Sequence, residues 1–392
     1  MRTVITAARI LTPGRSVHRP VVVIEDGHIA SIQPADHAAI PAATQHLKYD
    51  DATLTPAFFD VHMHGGGGSD VMEGSTHAMD TIGMFLASHG VGSYFATTVT
   101  APEEKILRAL DGLARQLERT DHPGAKPRGI HLEGPFLSCE KRGVHPPEYL
   151  LTPSIELFDR FYQAAGGHIS LMTIAPELPN AIELIQYATQ KGVRISLGHS
   201  DAGTKAAFAG IAAGASSATH TFNAMRALDH RDAGLLGVVL DHQDLYAEII
   251  CDAIHVDPIV VRLFFKAKGP LRSILVTDAM SATGMPDGTY RLGYMDVTVA
   301  NGMCLSNGRL AGSVLTLDKA LQNFMTFTEC DLQTGLRCTT VNPATMAGLQ
   351  KQLGSLEPGM PADITVLSAS GAVQATLLSG ALVEQEILNK AR

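Results

Sequence analysis

The sequence is poor in features that would place it on a nucleic acid, in a membrane or outside a reducing compartment. Lysine and arginine number 30 against 39 aspartates and glutamates, a net charge of −9, and no basic run exists to track a phosphate backbone. Nucleic acid is therefore excluded as an expected partner. No apolar stretch approaches the ~20 residues needed to cross a bilayer, and MRTVITAARILTPG at the start has neither the apolar core nor the cleavage site of a signal peptide. The five cysteines (Cys139, Cys251, Cys304, Cys330, Cys338) are scattered without a CxxC pair, so neither a disulfide framework nor a thiolate zinc site is expected. No membrane and a cytoplasmic location are the expectations. GxGxxG and P-loop patterns are missing, which leaves nucleotide-dependent chemistry without support. Histidine is missing too, but only from the C-terminal part: all 17 lie at or before His255.

What is present is a chain of 392 residues, 45% hydrophobic, long enough for two or three domains or for one barrel with a smaller module. Residues 1–52 read as short strands, with Asp26-Gly27 as a tight hairpin turn. The stretch ADITVLSASGAVQATLLSGALVE (362–384) after Pro358-Gly359 has the same texture. Chain ends often lie close together, so residues 1–52 and 346–392 are expected to share one small β-sandwich module. Between them, over 53–345, eight apolar runs alternate with helix-period segments: 54–61, 92–99, 128–134, 169–175, 193–199, 216–222, 247–253 and 273–279. Helices are expected at 102–118, where Ile106, Leu110, Leu113 and Leu117 make one apolar face, and at 155–165, 180–191, 204–214 and 258–268. Eight strand-helix units over roughly 250 residues signify an α/β fold, the (β/α)8 TIM-like barrel. Residues 288–312 read as a β insertion after the eighth run, one use of which is to cover a substrate.

A barrel enzyme gathers its reactive groups at the C-terminal ends of its strands. Six runs close on such groups: His62 and His64, Glu133, His199, His220, Asp252 with His255 behind it, and Asp278. Two imidazoles two residues apart on an extended segment point the same way, as paired metal ligands would. Singly, each has a plainer reading: a loop histidine pair, a surface carboxylate, hydrogen-bonded core histidines, a helix cap at Asp278. Together, imidazoles and carboxylates form a ligand set suited to Zn²⁺, Fe²⁺, Mn²⁺ or Co²⁺. A buried carboxylate such as Asp278 beside activated water could take its proton and pass it to a leaving amine.

Eight motifs in order along the chain, PAFFDVHMHGGGG (56–68), HLEGPFLSCEKRGVHPPEY (131–149), LGHSDA (197–202), THTFNAM (219–225), CDAIHVDP (251–258), LVTDAMSATGMPDG (275–288), LAGSVLTLDKAL (310–321) and PGMPADITVL (358–367), resemble the amidohydrolase superfamily. Within it they resemble the family of N-acetylglucosamine-6-phosphate deacetylases. The resemblance implies metal-dependent removal of acetate from an amino-sugar phosphate, in amino-sugar catabolism and cell-wall recycling. It implies that Glu133, His199 and His220 hold the principal divalent metal, with His62 and His64 as ligands of a second, Glu133 bridging and Asp278 near both. One or two ions are implied, zinc first, with iron, manganese or cobalt as alternatives. Asp278 would be general base and then acid towards a metal-activated water, and His145 would polarise the acetyl carbonyl. Asn223, Ala224 through its backbone, His255, Leu310 and Ala311 are implied to contact the sugar phosphate. Arg231 is implied to grip the phosphate from the neighbouring subunit of a homodimer. The competing readings are a dihydroorotase-like or hydantoinase-like hydrolase, an N-acyl-amino-acid deacylase, and a non-catalytic assembly protein on the same scaffold. HLEGP and THTFNAM favour the amino-sugar branch.

Overall fold

The computed structural model describes residues 2–37, 42 and 45–383. The parts of the expected module at 1, 38–41, 43–44 and 384–392 lie outside the described residues. All eight apolar runs contain strands: Phe58–Met63, Val91–Thr98, Lys126–Glu133, Ile169–Ile174, Arg194–Leu197, Ser217–Ala218, Tyr246–Ile250 and Ser273–Val276. They pair in parallel, each with its neighbour in sequence. The ring closes at its C-terminal rim, where Asp278 N–H donates to His62 O at 2.9 Å and His64 N–H to Ala279 O at 2.7 Å. The sixth strand is only two residues long, because its run turns at His220 instead of extending to 222.

The five expected helices are present. Glu103–Leu117 buries Ile106, Leu110 and Leu113, and the acidic pair Glu103 and Glu104 opens it where the helix dipole favours negative charge. Pro102, expected as the first helical residue, is instead the extended residue just before it (φ −49°, ψ 138°). Two further helices between barrel strands escaped the periodicity reading. Thr76–Ser88, capped by Ser75 Oγ accepting from Ala78 N–H at 3.1 Å, buries eight of its thirteen residues and turns Thr76, His77, Asp80, Thr81 and Met84 outward on one face. Gly234–Asp241 is almost wholly apolar and contains two glycines and two valines, which are weak helix formers.

Among the described residues, the N-terminal and C-terminal parts of the chain together build one module of eight strands. Arg2–Thr12 lies beside Gln45–Pro56, which pairs in turn with Ile364–Leu367 from the far end of the chain. The register shifts between Ala7 and Arg9, and the two halves of Arg2–Thr12 take different partners, Pro20–Glu25 and Arg15–His18. The bent strands enclose an aliphatic core that includes Ile5, Ile24, Leu54, Ile364, Val366 and Leu377. The insertion is a four-stranded antiparallel meander, Gly288–Leu292, Met295–Ala300, Met303–Ser306 and Arg309–Leu310. It is tied to the barrel mouth by Gly293 N–H donating to Asp70 Oδ2 at 2.8 Å and by Arg309 Nη1 donating to Gly143 O at 3.0 Å. Among the described residues no helix is long and apolar enough to cross a membrane.

Candidate metal centre

Glu133, the last residue of the third strand, sits at the centre of the barrel mouth. Its Oε1 lies 3.3 Å from His62 Nε2, 3.2 Å from His199 Nε2 and 3.3 Å from His220 Nε2. Its Oε2 lies 3.2 Å from His64 Nε2 and 3.9 Å from His145 Nε2. Asp278 Oδ1 completes the cluster, 3.2 Å from His64 Nε2 and 3.7 Å from His62 Nε2. The structure thus gathers all six expected ligand residues, contributed by four strand ends and the turn after the sixth strand, around one carboxylate. All are buried, His62 completely.

The local backbone explains how strand ends aim these groups. His199, His220 and Asp278 have φ of 48°, 26° and 52°. Such left-handed backbone in non-glycine residues costs about 1–3 kcal/mol each. At each of the three the chain leaves the barrel strand in a sharp turn. His62 and His64 are followed by a hairpin in which Gly65–Gly66 pairs with Ser69–Asp70. A Cβ at Gly65 would stand 2.4 Å from Ser69 O and 2.8 Å from Ser281 N, so the close approach of two backbones requires glycine there.

Hydrogen bonds assign most of the tautomers. Nδ1–H of His62 donates to Glu248 Oε2 at 3.1 Å, that of His64 to Thr97 O at 3.1 Å and that of His199 to Lys141 O at 3.0 Å. In their neutral forms these three imidazoles turn the lone pairs of Nε2 towards Glu133. His220 Nε2 lies 3.0 Å from His199 Nε2, and among the described residues His62 Nε2 has no hydrogen-bond partner. Lone pairs crowded against each other and against a carboxylate repel, unless protons or a cation lie among them. The titration behaviour follows. Burial opposes charging His62 and His64, yet Glu133 and Asp278, with Glu248 at His62, outweigh it, raising His62 well above its usual value and His64 to about 9. Burial would raise Glu133, but the imidazoles around it hold it well below the usual carboxylate range. Asp278 is lowered in the same way, chiefly by His64 and His62 against the effect of burial. Two groups, His62–His64–Asp278 and Glu133–His145–His199, have ligand atoms close enough to share a metal ion.

His145 differs from the others. Thr100 N–H donates to its Nδ1 at 3.3 Å, with Thr100 Oγ1 at 2.8 Å, so the neutral ring carries its proton on Nε2, facing the site. Burial, then the neighbouring His199, pushes its pKa down to about 3. A neutral N–H donor aimed into the site suits a developing oxyanion better than it suits a cation.

The remaining expected residues lie around this centre. Asn223 and Ala224 follow His220 in a tight turn, where Asn223 N–H donates to His220 O at 3.0 Å and Ala224 O accepts from Ser200 N–H at 3.0 Å. His255 Nδ1 is 2.7 Å from Asp252 Oδ2, and its side chain is nearly buried. Ala311 is buried, Leu310 half-buried, and the segment docks on the eighth strand end through Ser313 N–H to Asp278 O at 2.7 Å. Arg231 is exposed, and among the described residues its guanidinium has no ion-pair partner. Sequence reasoning missed a supporting set. Glu248 accepts from His62, and Asp60 accepts from Thr277 Oγ1 at 2.6 Å and His62 N–H at 3.2 Å. His131 backs the His62 ring at a centroid distance of 4.7 Å. Asp60 and Glu248 stood inside apolar runs, and a charge there was the available signal.

A sequence profile of the amidohydrolase family matches residues 53–383. N-acetylglucosamine-6-phosphate deacetylase of Bacillus subtilis (strain 168) is 35% identical over 374 residues, covering 95% of this chain and 94% of that protein. N-acetylgalactosamine-6-phosphate deacetylase of Escherichia coli O157:H7 is 36% identical over 383 residues, 97% of this chain and 99% of that one. A structure of N-acetyl-D-glucosamine-6-phosphate deacetylase from Mycobacterium smegmatis in complex with N-acetyl-D-glucosamine-6-phosphate superposes with a TM-score of 0.90 at 33% identity, covering 97% of this chain and 99% of that one. The chain belongs to the amidohydrolase family and, within it, to the N-acetylglucosamine-6-phosphate deacetylases.

Proposed function

We propose that this protein hydrolyses N-acetyl-D-glucosamine 6-phosphate to D-glucosamine 6-phosphate and acetate, serving amino-sugar catabolism and cell-wall recycling from the cytoplasm, where its five free thiols suit a reducing medium. The observation that carries it is Glu133 facing four imidazole Nε2 atoms at 3.2–3.3 Å, with Asp278 beside them. That donor set fits divalent metal, zinc first. Glu133, His199 and His220 would hold the principal ion and His62 and His64 a second, with Glu133 and Asp278 within reach of both groups. When bound, the metal supplies Lewis acidity that eases deprotonation of water and polarises the amide.

The chain's own groups do the rest. Asp278, held as an anion, accepts the proton of the attacking water and then delivers it to the C2 amine as the C–N bond breaks. Nε2–H of His145, fixed by Thr100, donates to the acetyl oxygen as it becomes an oxyanion. Asn223, Ala224, His255, Leu310 and Ala311 hold the sugar, and Arg231 of a homodimeric partner subunit takes the phosphate through its planar fork. Binding energy from the phosphate positions the amide without reacting. We place the catalytic barrel at 53–345 and the module at 1–52 with 346–392; strand Gln45–Pro56 carries the chain from one to the other. The insertion near 288–312 serves as a cover over the mouth.

A second sugar is a specific alternative, because the E. coli relative is named for the galactosamine epimer. Acetate release from N-acetylglucosamine 6-phosphate, N-acetylgalactosamine 6-phosphate and unphosphorylated N-acetylglucosamine decides between them. The proposal expects the first to be turned over with the highest kcat/KM; preference for the galactosamine epimer would reassign the sugar, and no acetate from either phosphate would overturn the reading.

A further inference from the structure

Glu248 lies in the middle of the seventh strand, with no exposed surface, among alanine and isoleucine neighbours. A buried carboxylate in such a strand is unfavourable unless its bonds serve something. Among the described residues one oxygen, Oε2, makes both of its side chain's hydrogen bonds, accepting from His62 Nδ1–H at 3.1 Å and from His220 N–H at 3.2 Å. The carboxylate thus ties the first strand's imidazole to the backbone of the turn that presents His220. His64 and His199 are held at Nδ1 by backbone carbonyls, of Thr97 and Lys141, whereas His62 alone is held there by an anionic side chain. A carboxylate partner fixes ring orientation and makes the opposite nitrogen a better ligand than a neutral carbonyl does.

We infer that Glu248 is a positioning residue: it holds His62 with Nε2 turned to Glu133 and Asp278, and thereby sets how tightly a second divalent cation is held at His62 and His64. The inference rests on the two-metal reading above. The substitutions separate its two components. In E248Q the amide oxygen can still accept both bonds but the charge is lost; in E248L both acceptors are lost.

The full chain is stripped with a chelator and titrated with zinc alone against a competing chelator, with metal per chain counted by mass spectrometry. The expected parent binds two ions. E248L should bind the second about 10–100-fold more weakly, with E248Q between the two, while the first ion, whose ligand His220 loses only a backbone bond, is weakened clearly less than the second. If E248L does not fold, E248Q decides alone, since an unchanged second affinity there overturns the inference. A parent with two ions and variants that match it would make Glu248 merely a core residue. Equal weakening of both ions would mean general damage and also overturns it. A parent that binds a single ion defeats the two-metal reading, and this inference with it.

Discussion

The barrel mouth and the terminal module are both buried, but they are held by opposite means. The module's core is aliphatic, and its strands owe their packing to apolar area removed from water. At the mouth, Glu133, Asp278, Glu248, His62 and His64 are buried as deeply, and they tolerate one another only through mutual neutralisation. The module should therefore respond to lost volume, the mouth to lost charge or lost cation.

The largest expected break is Asp278→Asn. Removing the proton acceptor and donor should lower kcat by about 10²–10⁴-fold while bound metal at Glu133, His199 and His220 and the thermal midpoint stay near the parent's. Near-normal turnover would remove Asp278 from proton transfer. Leu54→Ala makes the reverse change in the module, where Leu54 stands opposite Ile10 and Val366. A cost of about 2–5 kcal/mol in denaturant unfolding is expected, with kcat unchanged for the folded enzyme. A large effect on kcat would tie the module to the chemistry.

Smaller effects sharpen the contrast. Arg231→Gln should raise KM for the phosphorylated sugar about 10–100-fold, the worth of a lost charge-assisted pair, with little change for unphosphorylated N-acetylglucosamine. Equal effects on both substrates would take Arg231 away from the phosphate. In the metal-free protein His64, raised to about 9, is protonated at pH 7, and His62 is raised as well. A cation needs their lone pairs, so adding zinc in weak buffer at pH 7 should release protons, about one to two per chain. The share from His64 disappears as pH rises through about 9; no acidification at pH 7 would contradict its protonated state.

Much of this was legible in the sequence, for definable reasons. The eight strands announced themselves because barrel strands buried on both faces read as short apolar runs, and the site residues because they close those runs. The helix Thr76–Ser88 was legible but passed over: Thr76, His77, Asp80 and Thr81 make a polar face opposite Met79, Ile82 and Leu86. Asp60 and Glu248 passed as members of apolar runs, since what distinguishes them, bonds to Thr277 and His62 across the barrel, depends on strands distant in sequence. The tautomer of His145 likewise depends on Thr100, which only the fold brings to it.

The central claim is that one carboxylate and imidazoles from separate strands share a divalent cation. X-ray anomalous scattering at the zinc edge, from crystals of the zinc-loaded protein, tests it most directly. The account predicts a peak among Glu133, His199 and His220; density that leaves these three unliganded, with zinc bound elsewhere or not at all, would contradict it.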